Sequence, residues 1–228
     1  MFLIRNVTDI FYPRLCLCCK DQLPEKEQFT CLKCRYDLPL TNFTNQPDNL
    51  AEKLFYGRVL IEQATALFYF QKNGKIQKLI HQLKYNGQQQ IGSFFGSWLA
   101  KEMITSNRFK NIDCIVSVPL HKSRFEKRGY NQLTAFGKTL SKELGIPYDE
   151  HALKRNTATK TQINMHKHER WDNVFNVFDN NKEDELSGKH VLLIDDIITT
   201  GSTIEACCHA LKKSEKTSFS VASMAITV

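Results

Sequence analysis

Residues 191–203 read VLLIDDIITTGST. Four consecutive apolar residues, Val191–Ile194, suit a strand buried on both faces, as in a parallel sheet covered by helices. Asp195 and Asp196 then fall where the strand meets solvent, and Thr199, Thr200, Gly201, Ser202 and Thr203 lead into a helix expected over 203–212. In open α/β sheets, ligands gather at the carboxyl ends of the strands. Free amides and hydroxyls at a helix start form a cradle for phosphate, and a glycine at 201 lets an anion approach closely. Carboxylates repel phosphate, so the acidic pair needs a different partner: sugar hydroxyls, a divalent cation, or both. The stretch therefore points to a phosphorylated sugar. A Walker B strand has the same apolar-then-acidic form, but no G-x-x-x-x-G-K-[ST] occurs in the chain, which leaves an NTPase unsupported. The plain alternative is a buried strand ending in solvated acids, followed by a Ser/Thr-capped helix.

Working outward, strand-like and helix-like segments alternate. Strands are expected over 64–69, 112–118, 174–178, 191–194 and 218–226, and helices over 75–85, 92–105, 132–144 and 203–212. That order predicts an α/β domain with a mainly parallel sheet flanked by helices. Residues 41–57 read as a turn-rich connection into it, and residues 180–186 as an exposed polar loop.

The 228 residues suffice for one substantial domain, or one domain carrying a small module. No apolar run approaches the ~20 residues of a spanning helix. The start MFLIRNVTDIF has no basic leader, long apolar core or small-residue cleavage site, so a cytoplasmic protein is expected. The net charge is +7, and residues 110–170 hold twelve Lys/Arg against six Asp/Glu. Such a field favours a phosphorylated small molecule or nucleic acid, unless it is simply a solvated surface.

Five of the eight cysteines precede residue 35. Cys16–Cys19 and Cys31–Cys34 form two C-x-x-C pairs, the spacing that brings four thiolates into the tetrahedron preferred by structural Zn²⁺. Cys18 either replaces one member of the first pair or is a spare thiol. The division expected is an N-terminal helix with a four-cysteine module over 1–45 and the α/β domain over 46–228.

VLLIDDIITTGST resembles the phosphoribosyl pyrophosphate (PRPP) signature of type I phosphoribosyltransferases. The resemblance implies that Asp195 and Asp196 address the ribose 2′ and 3′ hydroxyls while Thr199–Thr203 hold the 5′-phosphate. SVPLHKSRFEKRGYNQ (117–132) follows the strand expected at 112–118, and in such enzymes the corresponding loop binds pyrophosphate. Leu120, His121 and Lys122 would occupy it here, with Arg124, Lys127 and Arg128 nearby and Mg²⁺ accompanying PRPP. The read-out alternative is a basic surface loop touching nucleic acid. The paired C-x-x-C, LKYNG (83–87), VPLHKSRFEKRGYNQ, RNTATKTQ (155–162) and the PRPP signature occur in that order. Jointly they resemble the ComF/GntX family of phosphoribosyltransferase-like proteins associated with DNA uptake. That resemblance implies the type I phosphoribosyltransferase fold behind a zinc module. It also implies partners among single-stranded DNA or the DNA-uptake machinery, the PRPP pocket then acting as enzyme site, sensor or remnant.

Arg155, Thr159, Gln162 and Arg170 fall where related enzymes carry a loop that closes over PRPP to exclude water; an ordinary solvated loop is the alternative. Lys84 either belongs to the site or complements the dipole of its helix. No acceptor pocket is legible.

Overall fold

A computed structural model describes residues 13–25, 27–155, 177–212, 214 and 216–227. Strand β1 (Gln63–Tyr69) is followed by helices α3 (Lys75–Tyr85) and α4 (Gln90–Thr105), and then β2 (Cys114–Ser117). Before β1 lie the short helices α1 (Leu32–Tyr36) and α2 (Leu50–Lys53). After β2 come α5 (Lys122–Arg128), α6 (Gln132–Leu144), β3 (Tyr148–Asp149), β4 (Leu153–Arg155) and β5 (Phe178–Asn180). The chain continues with α7 (Glu183–Leu186), β6 (His190–Ile198), α8 (Ser202–Leu211) and β7 (Ser218–Ile226).

Five strands form one sheet in the order β1-β7-β6-β2-β3, and every pairing in it is parallel. β4 and β5 make a separate antiparallel ribbon that packs on α8. Val191 to Ile194 are all fully buried at the centre of the sheet, as a strand covered on both faces requires. The strand runs further than its apolar segment. Pairing with β7 continues through Asp195↔Ser223 to Ile198↔Ile226, so the two acids lie on the last half of β6 rather than beyond it.

On α3, Ile76, Leu79, Ile80 and Leu83 are buried, an i, i+3, i+4, i+7 stripe that leaves Lys84 and Tyr85 at the outer end of the helix. Helices α4 and α6 pack closely through glycine. A Cβ at Gly96 would lie 2.9 Å from the Phe136 carbonyl oxygen, and one at Gly137 2.6 Å from the Tyr148 ring and 2.9 Å from Ile194 Cδ1. Gly137 thus lets α6 settle directly on the strand that carries the acids.

Residues 41–57 are more than a connection. Thr41, Thr44, Asn49 and Glu52 are buried. Asn49 caps α2 and donates to the carbonyls of Gln46 (2.8 Å) and Ala64 (2.9 Å). Glu52 accepts from the amides of Asp48 (2.8 Å) and Ala64 (3.2 Å) and pairs with Arg108. A buried carboxylate with this many donors ties its segment firmly to β1. Strand expectations at 174–176 and the N-terminal helix before residue 13 lie outside the described residues.

Candidate functional site

The register between β2 and β6 sets the site. Ser117 pairs with Ile194, and the Val118 amide donates to the Ile194 carbonyl at 3.0 Å. Chain leaving β2 at Pro119 therefore emerges beside the acids that follow Ile194, and both lie at the carboxyl edge of the sheet, where open α/β sheets bind ligands.

Asp196 is 8% exposed. Its Oδ2 takes two donors, the Lys84 ammonium at 2.8 Å and the Gln132 side-chain amide at 2.7 Å. Lys84 thus belongs to the acidic pair and does more than end a helix. Gln132 in turn accepts from Arg128 at 2.7 Å, and the Arg128 guanidinium lies over the Tyr85 ring, 5.1 Å from its centroid. A continuous polar chain joins the basic helix to the acidic pair through Arg128, Gln132, Asp196 and Lys84.

Asp195 accepts the Asp196 amide at 2.8 Å. Burial, reinforced by the charge of Asp196, pushes its carboxyl up to about 8, against the pull of that amide and of Lys84. A carboxyl raised in this way keeps its proton to higher pH than an ordinary aspartate, and while protonated it can both donate to and accept from a hydroxyl.

Beyond β6 the chain turns. Thr199 and Thr200 are exposed, Gly201 caps α8 with φ +75°, and Ser202 and Thr203 open the helix with exposed side chains. Thr200 Oγ1 and Ser202 Oγ are 3.0 Å apart. First-turn amides have no intrahelical acceptor, and the helix dipole adds positive potential there. Gly201 has two reasons to be glycine: its φ, and Phe55 Cε1 lying 2.9 Å from where a Cβ would stand.

After β2, His121 caps α5, its Nδ1 accepting from the Ser123 amide at 3.2 Å. The segment expected as a basic loop is this short helix; Lys122, Arg124, Phe125 and Lys127 are exposed on it, and Leu120 and His121 are half-buried. Arg155, on β4, stacks on Phe178. Burial and the neighbouring charge of Arg124 lower its pKa, so two guanidinium groups share this flank. Thr159, Gln162 and Arg170 lie outside the described residues.

Two residues that sequence reasoning passed over also meet the site. Gln132 sits at the first position of α6 behind the cap Asn131, which marks a helix start but says nothing of Asp196. Arg58 reaches the 200–205 turn from 142 residues away in sequence, a contact without any local signal.

The four predicted cysteines Cys16, Cys19, Cys31 and Cys34 come together, all sulfurs within 4.8 Å of one another. Cys19 and Cys31 sulfurs are 3.7 Å apart, close to the edge of a tetrahedron built on ~2.3 Å Zn–S bonds. Amides of Cys31 and Cys34 donate to the sulfurs of Cys16 and Cys31, both at 3.4 Å, the second-sphere support that thiolate ligands require. Burial opposes the Cys16 thiolate, but amides of Cys19, Cys31 and Cys18 outweigh it and bring the thiol down to about 6. The donor set fits Zn²⁺. Cys18 is excluded from the cluster: its side chain is buried in the core, its thiol pushed up to about 12 by burial and by Cys16, and its carbonyl accepts from Lys78 at 2.9 Å. The cysteine module also packs on α4, where Phe29 meets Phe94 edge-on at 5.1 Å.

Residues 134–225 match the phosphoribosyl transferase domain family, a span that runs from the third residue of α6 through β6, the acidic pair, the Thr/Gly/Ser turn and α8. Over that span the chain is similar to phosphoribosyltransferase domains, and its parallel sheet is flanked by helices and preceded by the cysteine cluster. The chain is 36% identical over 132 residues to DNA utilization protein YhgH of Escherichia coli (strain K12), covering 57% of each chain. It is 32% identical to Competence protein F of Haemophilus influenzae, covering 59% of this chain and 61% of that one. Identity to Competence protein ComFC of Streptococcus pneumoniae is 29%, over 59% and 56%. Over the matched region the chain is similar to these DNA utilization and competence proteins. The matched region spans somewhat over half the length of these relatives. A solved structure of glutamine PRPP amidotransferase from B. subtilis, complexed with ADP and GMP, matches with TM-score 0.45 and 19% identity, covering 63% of this chain and 30% of that one. Among the described residues no helix is long and apolar enough to cross a membrane.

Proposed function

We propose that the chain binds PRPP, or a similar phosphorylated ribose, between the 199–203 turn and the Leu120–Lys122 segment. The ribose 2′ and 3′ hydroxyls would meet Asp195 and Asp196, the 5′-phosphate the turn and first-turn amides of α8, and the pyrophosphate the side of His121, Lys122, Arg124, Lys127, Arg128 and Arg155. One observation supports this reading: the β2–β6 register brings the acidic pair, the Thr/Gly/Ser turn and the basic helix to one sheet edge. Acids and phosphate can then be neighbours because they hold different parts of one ligand.

Catalysis in such a site is displacement of pyrophosphate at C1 by a nucleophile. Positioning and charge stabilisation of the leaving group carry it, and no covalent enzyme intermediate is needed. Mg²⁺ would supply further charge neutralisation on the pyrophosphate. Oδ2 of Asp196 is already paired by Lys84 and Gln132, so the metal is expected to arrive with the ligand. Titration calorimetry with Mg-PRPP tests the site: Asp195→Ala with Asp196→Ala should abolish binding in a protein that remains folded, and undiminished binding rejects the assignment. A pyrophosphate-release screen with bases and amines then tests catalysis and names the acceptor.

The zinc module over 1–45 is proposed as structural, and metal analysis should return about one Zn²⁺ per chain. A second reading rests on α5, whose basic side chains are exposed, and on relatives named for DNA utilization and competence. In it, the protein serves DNA uptake in the cytoplasm without catalysis, binding single-stranded DNA or a helicase partner. Salt-dependent gel retardation before and after neutralising Arg124, Lys127 and Arg128 separates the two.

A further inference from the structure

We propose that Arg58 is the positioning residue of the phosphate turn: it fixes the peptide between Thr200 and Gly201 so that the Gly201 amide is aimed at the ligand's phosphate. This deepens, and rests on, the phosphoribosyl reading above.

The Arg58 guanidinium bridges its own segment, this turn and the first turn of α8. Nη1 donates to the Thr200 carbonyl at 2.5 Å and to the Leu54 carbonyl at 3.1 Å. Nη2 donates to Ser202 Oγ at 3.2 Å, and Nε to Glu205 Oε2 at 3.1 Å, with Nη2 closing an ion pair to the same oxygen. In a planar trans peptide the carbonyl and the following N–H point in opposite directions. Holding the Thr200 oxygen against Arg58 therefore turns the Gly201 N–H away from Arg58. Phe55, fully buried three residues earlier, presses on Gly201 from the same segment. The buried Asn49 and Glu52 network secures that segment in turn. The turn is thereby braced by two groups that are themselves fixed, the condition for a preorganised anion site.

Glu205 sharpens the assignment. It neutralises much of the Arg58 charge and, in the first turn of α8, places a negative group near the proposed phosphate. If Arg58 were only a structural strap to Glu205, removing either partner would loosen the turn alike. If Arg58 orients the turn through Thr200 and Ser202, Glu205 is dispensable and its negative charge opposes the ligand.

The test uses ribose 5-phosphate as probe, with titration calorimetry and melting temperatures on the full chain. Arg58→Ala should weaken binding about tenfold or more, and Arg58→Lys should recover part of it, because an ammonium reaches fewer of the acceptors. Glu205→Gln should bind as tightly as wild type or more tightly. Wild-type affinity in Arg58→Ala, or a parallel loss in Glu205→Gln, overturns the inference while leaving the phosphoribosyl reading intact. Should Arg58→Ala not fold, Arg58→Lys and Glu205→Gln decide by the same opposite signs. A wild-type protein that binds neither ribose 5-phosphate nor PRPP overturns the underlying reading and this inference with it.

Discussion

Asp195→Asn should stabilise the protein above neutral pH while removing its ligand. Asparagine keeps the oxygen that accepts the Asp196 amide, and it removes the charge that burial and Asp196 disfavour. The folded carboxyl titrates at about 8, above its unfolded value of 3.8. Between these values the folded chain holds a proton that the unfolded chain has lost, so stability falls as pH rises through the window and levels off above it. One proton over the full window would contribute about 1.4 kcal/mol per pH unit. Asp195 keeps some solvent contact, so the expected net difference is smaller, roughly 1–3 kcal/mol between pH 5 and pH 8. Urea unfolding of both proteins at several pH values isolates the Asp195–Asp196 pair, because groups not coupled to Asp195 cancel in the difference. The variant should match the wild type near pH 4 and exceed it by that amount at pH 8. A difference independent of pH, or a variant less stable at pH 8, refutes the argument.

Three further outcomes are expected. Lys84→Met leaves the nearly buried Asp196 with the Gln132 amide as its remaining donor and should cost about 2–3 kcal/mol in denaturant unfolding at pH 7, whereas Lys84→Arg should cost less. Gly137→Ala places a methyl against Tyr148 and Ile194; a loss of about 1–3 kcal/mol, with weaker ribose 5-phosphate binding because Ile194 adjoins Asp195, is expected by unfolding and calorimetry. Cys31→Ser should remove bound zinc and lower the melting temperature, while Cys18→Ala should keep the metal, as atomic absorption on the purified variants will show.

Much of this architecture was legible because periodicity carries it. Val191–Ile194 announces a strand covered on both faces, and the Ile76, Leu79, Ile80, Leu83 stripe announces a helix. The cysteine pairs were legible because metal chemistry fixes their spacing. The length of β6 was not, since a strand with acids at 195 and 196 persists only through its pairing with β7, a partner that local pattern does not reveal. Residues 41–57 read as a linker by composition, although Thr41, Thr44, Asn49 and Glu52 are buried, with Asn49 and Glu52 bonded to β1 and Glu52 paired with Arg108. Lys84, Gln132 and Arg58 are ordinary polar residues until the fold brings Asp196 and Thr200 to them. Single residues of the site could be named from the sequence, whereas their pairing is a tertiary property.

A crystal structure with bound ribose 5-phosphate tests the central claim most directly. The account predicts the phosphate on the Thr199–Thr203 turn, within hydrogen-bonding distance of the Gly201 amide, and the 2′ and 3′ hydroxyls on Asp195 and Asp196. A sugar phosphate held elsewhere, or one whose phosphate rests on the basic helix with the acidic pair untouched, would contradict it.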